Sequence, residues 1–588
     1  MERGNKLALV SLALAPLLLS VEAQGAISGA TCSGNTSTNI TNQQVRVIGN
    51  EAARTININT TPGGTDVHSV FGASIGLNGA ILGRINVGQN VTKTNRNILW
   101  LNDSTLTTFT NNGTITGSSG VWMQNSTITT LTNNANATIN SNATSGRFGA
   151  IDLNSNARID NLINSGNISN TAHNTTAAIF FEGRTTNAQI GNLTNNAGGT
   201  IQGISVVAGN GNRINTINNS GMINRGITNG ANIGTLTNQN GGSIDTITQA
   251  NANARIDMIN NNTGATISSV SNAAGNINNF TNAGTISTTF NNSNSNGTGG
   301  GTITQLNNTG TITPLVRNGQ TGTIGTLTNS GTITGGVRNF NTITTLNNQV
   351  GGTITSYNNG GSSSSSGNTG TITNAGTITT ITNENAANRT NTIGTLNNTG
   401  TITTITNTGQ RSLITSLQNT GNIATLSNNP NANITTLTNN TQRRVDTLNN
   451  AGTLSNLNNQ TNGTMTTITN TGSITNGQNG GSITHLTNNT GGTITDFTNN
   501  NGGDIANLTN SGGNFQTFTN NSSVQNATNR WKCLWGGGAN GGAPSLRRLL
   551  LGEVHTLNNI YFNVRFTLLG KCGMTKILPT KLSKVLSR

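Results

Sequence analysis

Charge, cysteine, proline, histidine and aromatic residues are all scarce in this chain. Of its 588 residues, 7% are charged, 3% are aromatic, 6 are Pro, 4 are His and 3 are Cys. Ordinary globular enzymes do not have this composition. Disordered chains are usually rich in charge and proline and poor in β-branched residues, whereas here Ile and Thr recur at fixed places. The composition therefore argues against both an ordinary enzyme and a disordered chain.

The few cysteines and histidines indicate neither a disulfide-stapled fold nor a metal site. The three cysteines are Cys32, Cys533 and Cys572, and no two of them form a Cys-x-x-Cys motif. A bridge between Cys533 and Cys572 is possible, but their spacing does not require it. The four histidines are isolated in sequence: His68, His173, His485 and His555. We therefore predict no metal ligand, no cofactor and no catalytic triad.

The N-terminus has the pattern of a secretory signal peptide. Arg3 and Lys6 precede an apolar run from Leu7 to Leu19, and Val21-Glu22-Ala23 supplies small residues before Gln24. At about 13 residues the run is shorter than the ~20 that a membrane-spanning helix needs. We predict that residues 1–23 are removed and that the mature chain is exported.

What the chain has in abundance is one repeated phrase, of which "TITTITN" is typical. The apolar positions Ile393, Ile414, Ile434 and Leu454 follow one another at a steady interval of roughly 20 residues. A fixed period of this length with short strand-like phrases is the signature of a solenoid. The sequence predicts an all-β fold, a right-handed parallel β-helix with about 20 residues per coil.

The spacing within a phrase predicts which side chains face inward. Apolar residues lie three apart, as in Ile402 and Ile405, whereas residues on one face of a flat strand lie two apart. We therefore predict a corner between them, inward Ile, outward Thr, and Asn or Gly turns that tolerate positive φ. Arg158-Ile159-Asp160, Arg255-Ile256-Asp257 and Arg444-Val445-Asp446 keep the apolar centre and place opposite charges on the solvent side. The asparagines that recur at the turns should stack from coil to coil as hydrogen-bonded ladders.

The pattern divides the chain into four segments. After the signal peptide, residues 24–101 repeat less well and are predicted to cap the solenoid, and residues 102–529 form the repetitive β-helix. At ~4.8 Å per coil, about 20 coils predict a rod on the order of 100 Å long. The Ser362–Ser366 run is predicted to be a loop. Residues 530–588 contain ten Lys or Arg against one acid and are predicted to be a basic, poorly ordered tail.

Phrases such as "NSGTITG" (Asn329 to Gly335) and "NTGTITTI" (Asn398 to Ile405), following a signal peptide, resemble passenger domains of Gram-negative autotransporters, especially the vacuolating-cytotoxin-like group. The resemblance implies secretion through a C-terminal outer-membrane β-barrel. The segment from Arg530 to Arg588 is too short for the eight strands of such a barrel. We therefore expect a truncated or frameshifted product that lacks its translocator and stalls in the periplasm, with a functional surface-binding tail as the alternative.

Enzymes built on β-helices handle proton transfer with clustered carboxylates, whereas the 15 acids of this chain are dispersed. Asp160 and Glu182 are separated by about one period of the repeat, with Arg158 and Arg184 beside them, so stacking of consecutive coils could bring them together. We interpret this group as solvated ion pairs and nominate no catalytic, cofactor-binding or metal residue. The prediction is that the protein is not an enzyme.

We expect a surface-displayed or secreted passenger with an adhesin or host-interaction role, which binds a host-cell surface or an extracellular glycan or protein. The alternatives are binding of a regular lattice or polysaccharide by the outward Thr-x-Thr arrays, or a β-helix carbohydrate-active enzyme. Nucleic-acid binding is not expected, because outside the tail the net charge is only +14 − 9 = +5.

Overall fold

The computed structural model describes residues 37–40, 45–47, 50–58, 73–78, 81–88, 92–144, 148–172, 176–182, 186–294, 299–361, 366–384, 389–530, 555–561 and 564–567. The predicted signal peptide lies outside the described residues, as do four of the five serines of the predicted loop, residues 362–365. All elements within the described ranges are β-strands. These ranges contain no helix of the length and apolar character that crossing a membrane requires. The chain forms two compact units, residues 1–355 and residues 356–588.

The first unit contains the following strands: β1 (Ser37–Ile40), β2 (Val45–Val47), β3 (Asn50–Ile58), β4 (Ala73–Asn78), β5 (Ile81–Val87), β6 (Thr92–Asn102), β7 (Thr105–Asn111), β8 (Thr114–Gln124), β9 (Thr127–Asn133), β10 (Thr138–Ser141), β11 (Ile151–Leu153), β12 (Arg158–Asn164), β13 (Asn167–Asn170), β14 (Ile179–Phe181), β15 (Gln189–Asn195), β16 (Thr200–Ile201), β17 (Ile204–Val206), β18 (Arg213–Asn219), β19 (Met222–Ile223), β20 (Ile227–Asn229), β21 (Asn232–Asn238), β22 (Ser243–Gln249), β23 (Arg255–Asn261), β24 (Thr266–Asn272), β25 (Asn276–Asn282), β26 (Thr285–Asn292), β27 (Thr302–Asn308), β28 (Thr311–Ile312), β29 (Val316–Asn318), β30 (Thr323–Asn329), β31 (Thr332–Ile333), β32 (Val337–Asn339), β33 (Thr342–Asn348) and β34 (Thr353–Asn359), which runs into the second unit.

The second unit contains β35 (Asn368–Asn374), β36 (Thr377–Asn383), β37 (Asn391–Asn398), β38 (Thr401–Asn407), β39 (Ser412–Asn419), β40 (Asn422–Asn428), β41 (Asn433–Asn439), β42 (Arg444–Asn450), β43 (Thr453–Asn459), β44 (Thr464–Asn470), β45 (Ser473–Asn479), β46 (Ser482–Asn489), β47 (Thr493–Asn499), β48 (Asp504–Ser511), β49 (Asn514–Asn520), β50 (Ser523–Arg530), β51 (His555–Tyr561) and β52 (Val564–Thr567).

In each unit the strands form two parallel stacks, and each turn of the chain contributes to both. In the second unit, for example, β37, β39 and β41 pair in one stack while β38, β40 and β42 pair in the other. The average turn contains about 22 residues. The predicted all-β parallel solenoid is therefore confirmed, as is the assignment of two phrases to each turn. The described strands between residues 37 and 102 pair parallel in the same two stacks.

The predicted facing of the repeated phrase is also confirmed. Ile402 and Ile405 are fully buried, whereas Thr403 is exposed. Ile402 pairs with Ile423 and Thr404 with Thr425, so the ladder steps over Thr403, which is the corner. The columns of Ile, Leu, Val and Phe produced in this way form the apolar core, and hydrophobic burial there stabilises every turn against its neighbours.

A second internal column consists of asparagine, at the last position of the strands. In the first unit, the side-chain amide of each asparagine donates to the Oδ1 of the next at 2.7–3.0 Å, from Asn111 to Asn348. The second unit contains two such ladders, which begin at Asn359 and Asn374. These side chains are buried within the solenoid. The ladders satisfy amide groups that would be costly to bury alone, and explain how so polar a chain forms a core.

Turns and charged pairs follow the sequence pattern. Asn136 and Gly198 occupy turns with φ of 66° and 82°, a conformation that Asn and Gly tolerate better than other residues. Arg158–Asp160, Arg255–Asp257 and Arg444–Asp446 form ion pairs on the outer face, with 30–59% of each side chain exposed. At such exposure each pair contributes only about 0–1 kcal/mol.

Two local departures from the repeat compensate for each other within the second unit. Gly477 occupies an inward position between Leu457 and Phe497. A Cβ atom at Gly477 would lie 2.2 Å from Cδ2 of Phe497, so the phenyl ring fills the volume that the missing side chain leaves. The large and the small residue together preserve core packing.

Two segments of the basic tail form strands. β51 pairs antiparallel with β50, and β52 pairs antiparallel with β49. The remaining tail residues, 531–554, 562–563 and 568–588, lie outside the described residues, and so do Cys533 and Cys572. The two tail strands cover backbone edges of β49 and β50 that the parallel stacks leave open at this point.

Candidate functional site

The outer wall of the first unit carries a column of aromatic and acidic residues where the following turns carry Ser205, Thr228 and Thr248. Trp100 on β6 pairs in register with Trp122 on β8, and Trp122 pairs with Asp152 on β11. Asp152 in turn pairs with Phe180 on β14. These side chains alternate with inward core residues along their strands, so the strand geometry directs them away from the apolar core, although Asp152 is nevertheless buried.

The two indoles form a parallel stack that spans two turns. Their ring centroids are 5.6 Å apart and their planes differ by 6°. Both side chains are half-buried. The pair therefore presents a flat aromatic surface on a wall that is otherwise polar.

A carboxylate and an amide line the edge of this surface. The Trp122 Nε1–H group donates to Glu182 Oε1 at 3.2 Å, and Asn154 Nδ2 donates to the same oxygen at 2.7 Å. Burial raises the pKa of Glu182, and the hydrogen bonds from Trp122 and Asn154 oppose this shift. Glu182 is only half-buried, so it combines a fixed orientation with access to solvent.

Asp152 lies beside Trp122, as its register partner on the next turn, and is fully buried. Its Oδ2 accepts a hydrogen bond from the Ser119 hydroxyl, and its Oδ1 accepts one from the Gly149 N–H at 2.7 Å. Burial raises the pKa of Asp152 well above the usual range. The two hydrogen bonds oppose the shift, and the nearby charge of Glu182 adds to it. Both carboxylate oxygens are engaged with the protein itself, so Asp152 fixes the backbone next to Trp122 and does not face solvent.

Insertions in the repeat create this arrangement. β8 is one strand of 11 residues, but its two halves pair with β10 and β11, which are separated by the segment 142–150. Gly149 in that segment packs against the next turn, where a Cβ atom would lie 2.8 Å from the Ala178 carbonyl oxygen and 2.9 Å from Cβ of Phe180. Glycine therefore allows residues 148–150 to pack closely against the next turn, where the Gly149 N–H reaches Asp152.

Asp160 and Glu182 do not come together, although their spacing in the sequence suggested that stacked coils could place them side by side. Inserted segments lengthen this turn, so that Ile159 on β12 pairs with Ile190 on β15. Asp160 pairs with Arg158, in the other stack, while Glu182 bonds to Trp122 and Asn154. Arg184 lies outside the described residues.

Sequence reasoning missed the tryptophan column, although a signal for it exists. Trp100 and Trp122 are separated by the length of one average turn, about 22 residues. Two of the four tryptophans of the chain thus occur one turn apart. A search for rare residues separated by one solenoid period, rather than for common ones, would have identified this pair.

Among the described residues, no three His, Cys, Asp or Glu side chains come close enough to hold a metal ion. His485, on β46, lies on the outer side of its strand, and His68 and His173 lie outside the described residues. The backbone of His555 is part of β51.

The site is thus an aromatic and acidic patch on the lateral wall of a β-solenoid. Comparison with protein families, with characterised proteins and with solved structures gives no match for this chain.

Proposed function

We propose that this protein is an exported, surface-acting β-solenoid that binds an extracellular polysaccharide through the Trp100–Trp122 surface. One observation carries the proposal: two stacked indoles at outward positions, edged by Glu182 and Asn154, on a largely polar wall. Ligand sites typically combine apolar or aromatic surface with a few oriented polar groups. A sugar ring offers an apolar face for the indoles and hydroxyl groups for the carboxylate and the amide.

The arrangement of the acids favours binding over hydrolysis. Glycosidases generally use two carboxyl groups that flank the scissile bond, one as acid and one as base or nucleophile. Here Glu182 is accessible, whereas Asp152 is fully buried and holds Ser119 and Gly149. A single accessible carboxylate beside an aromatic surface suits recognition of a sugar. We therefore propose an adhesin-like role in which the solenoid presents this patch, and further weak contacts along the wall add by multivalency.

Intrinsic fluorescence provides a direct test of the binding role. A variant carrying Trp531→Phe and Trp535→Phe leaves Trp100 and Trp122 as its only tryptophans. Titration with a panel of soluble neutral and acidic polysaccharides should give a saturable change in emission for at least one of them. Trp122→Ala should abolish binding of that polysaccharide, measured independently by calorimetry.

The matched control is Met222→Ala, which removes a side chain of similar exposed apolar character, 47% exposed, from another turn of the same unit. This variant should bind like the parent. Binding that survives both Trp100→Ala and Trp122→Ala would refute the assignment of this surface.

Export is a separate part of the proposal and needs a separate measurement. Fusion of residues 1–40 to alkaline phosphatase, which is active only outside the cytoplasm, should give an active reporter in a Gram-negative host. The same fusion with Leu12→Arg in the apolar run should be inactive, because a charge in this segment opposes membrane translocation. Equal activity of the two fusions would contradict the signal-peptide assignment.

A further inference from the structure

Two arginines lie directly above one another on the outer wall of the first unit. Arg317 on β29 and Arg338 on β32 are register partners in adjacent parallel strands, whose spacing is about 4.8 Å. Like charges placed directly opposite each other on neighbouring strands destabilise a sheet. The pair therefore needs a compensating interaction.

One aromatic ring supplies part of that compensation. The guanidinium carbons of Arg317 and Arg338 lie 5.0 and 4.9 Å from the centroid of the Phe340 ring. Phe340 is 7% exposed. Each cation is attracted by the ring, so Phe340 makes a favourable contact with both guanidinium groups.

Arg317 and Arg338 have no carboxylate two residues further along the chain, which is where three other strand arginines have one. Arg158, Arg255 and Arg444 each pair with an Asp two residues further on. The corresponding positions here are Gly319 and Phe340. The sequence contains no Asp or Glu between Asp257 and Glu384, and Arg317 and Arg338 are the only charged residues in that interval.

The Arg317 side chain retains unused hydrogen-bonding capacity. Its Nε atom is buried and has no acceptor among the described residues. Buried donors are normally satisfied by protein, water or ligand, and an unsatisfied one calls for an explanation. An oxyanion between the two guanidinium groups would provide both an acceptor and a negative charge.

We propose that Arg317, Arg338 and Phe340 form a binding site for a sulfate group. Guanidinium is a planar fork that binds oxyanions through two parallel hydrogen bonds. Two forks one strand apart present donors to several oxygens of one tetrahedral anion, while Phe340 contacts both of them. The sulfate comes either from the free ion or from a sulfate ester of a saccharide. The site is distinct from the Trp100–Trp122 surface, and the inference does not depend on the function proposed for that surface.

Equilibrium dialysis of the full chain against radiolabelled inorganic sulfate tests the site. Ionic strength is held constant with chloride, and circular dichroism confirms that each variant is folded. The wild type should show one saturable site, and Arg317→Gln and Arg338→Gln should each weaken it by at least about tenfold. Arg317→Lys should give an intermediate loss, because it keeps the charge and removes the fork.

Arg255→Gln is the matched control, since it removes the same charge from an arginine that already has Asp257 as its partner. It should bind sulfate like the wild type. A second arm compares dextran sulfate with unmodified dextran. Arginine-dependent binding of dextran sulfate without binding of the free ion identifies a sulfate ester as the source, and arginine-dependent binding of the free ion identifies inorganic sulfate. Absence of saturable binding in both arms, or binding that is unchanged in Arg317→Gln and Arg338→Gln, overturns the proposal.

Discussion

Replacement of Asn419 by Leu tests whether the buried asparagine ladder stabilises the solenoid. Asn419 Nδ2 donates to Asn439 Oδ1 at 2.9 Å, to the Gly421 carbonyl oxygen at 3.1 Å and to the Arg444 carbonyl oxygen at 3.0 Å. Its Oδ1 accepts from Asn398 Nδ2 at 2.9 Å and from the Gly421 N–H at 3.3 Å. The side chain therefore joins three consecutive turns.

The size of the effect follows from these contacts. Two amide hydrogens serve three acceptors, so the side chain makes the equivalent of about four hydrogen bonds, each with a net contribution of about 1 kcal/mol. Burial of the leucine side chain offsets about 1–2 kcal/mol of this loss of stability. The polar groups left without a partner add about 1–3 kcal/mol to the loss. We expect the free energy of unfolding to fall by about 3–6 kcal/mol.

Urea denaturation and hydrogen exchange measure this change. The urea midpoint of Asn419→Leu should fall, and exchange protection should decrease first in the strands that contain Asn398, Asn419 and Asn439, because a solenoid opens locally. The matched control is Asn422→Leu at an exposed position, where the change should stay within about 0.5 kcal/mol. An equal midpoint and equal protection in the two variants would refute a stabilising role of the ladder.

Two further predictions concern the core and pH. Ile402→Asn places an amide without a partner in the apolar column and should cost about 3–5 kcal/mol, whereas Thr403→Asn should be nearly neutral; equal rates of limited proteolysis would show that the inward and outward positions are misassigned. Because burial raises the pKa of both Asp152 and Glu182, the folded protein binds more protons than the unfolded chain from about pH 4 up to their folded pKa values. The free energy of unfolding should therefore fall as pH rises through this window. Asp152→Asn should flatten the dependence of Tm on pH, and an unchanged profile would contradict this account.

Local periodicity is sufficient to predict the repeating part of the fold. The three-residue spacing of Ile402 and Ile405 determines a corner, and the opposite charges in Arg444-Val445-Asp446 identify the solvent side. Both are properties of a few neighbouring residues. The ladder of asparagines was also predictable, although the structure places these side chains inside the core rather than in the turns.

The candidate site was not predictable in the same way, because its residues come together through turns of unequal length. One average turn separates Trp100 from Trp122, but a longer one separates Trp122 from its partner Asp152. The spacing between Asp160 and Glu182 matches an average turn, whereas the local turn is lengthened by insertions and does not bring them together. Asp152 accepts a hydrogen bond from Gly149, which belongs to an insertion that the repeat pattern does not predict.

The pairing of Gly477 with Phe497 has a consequence for how such a chain selects one register. Nearly identical turns do not specify which strand pairs with which. A segment displaced by one whole turn would still match isoleucine to isoleucine and asparagine to asparagine. Displacement of the strand that carries Phe497 would place its ring against an isoleucine or leucine, and overpacking of this kind typically costs about 1–3 kcal/mol. The departures from the repeat thus distinguish one turn from the next. Residues that break the repeated pattern therefore specify the correct pairing of turns, which the pattern alone does not.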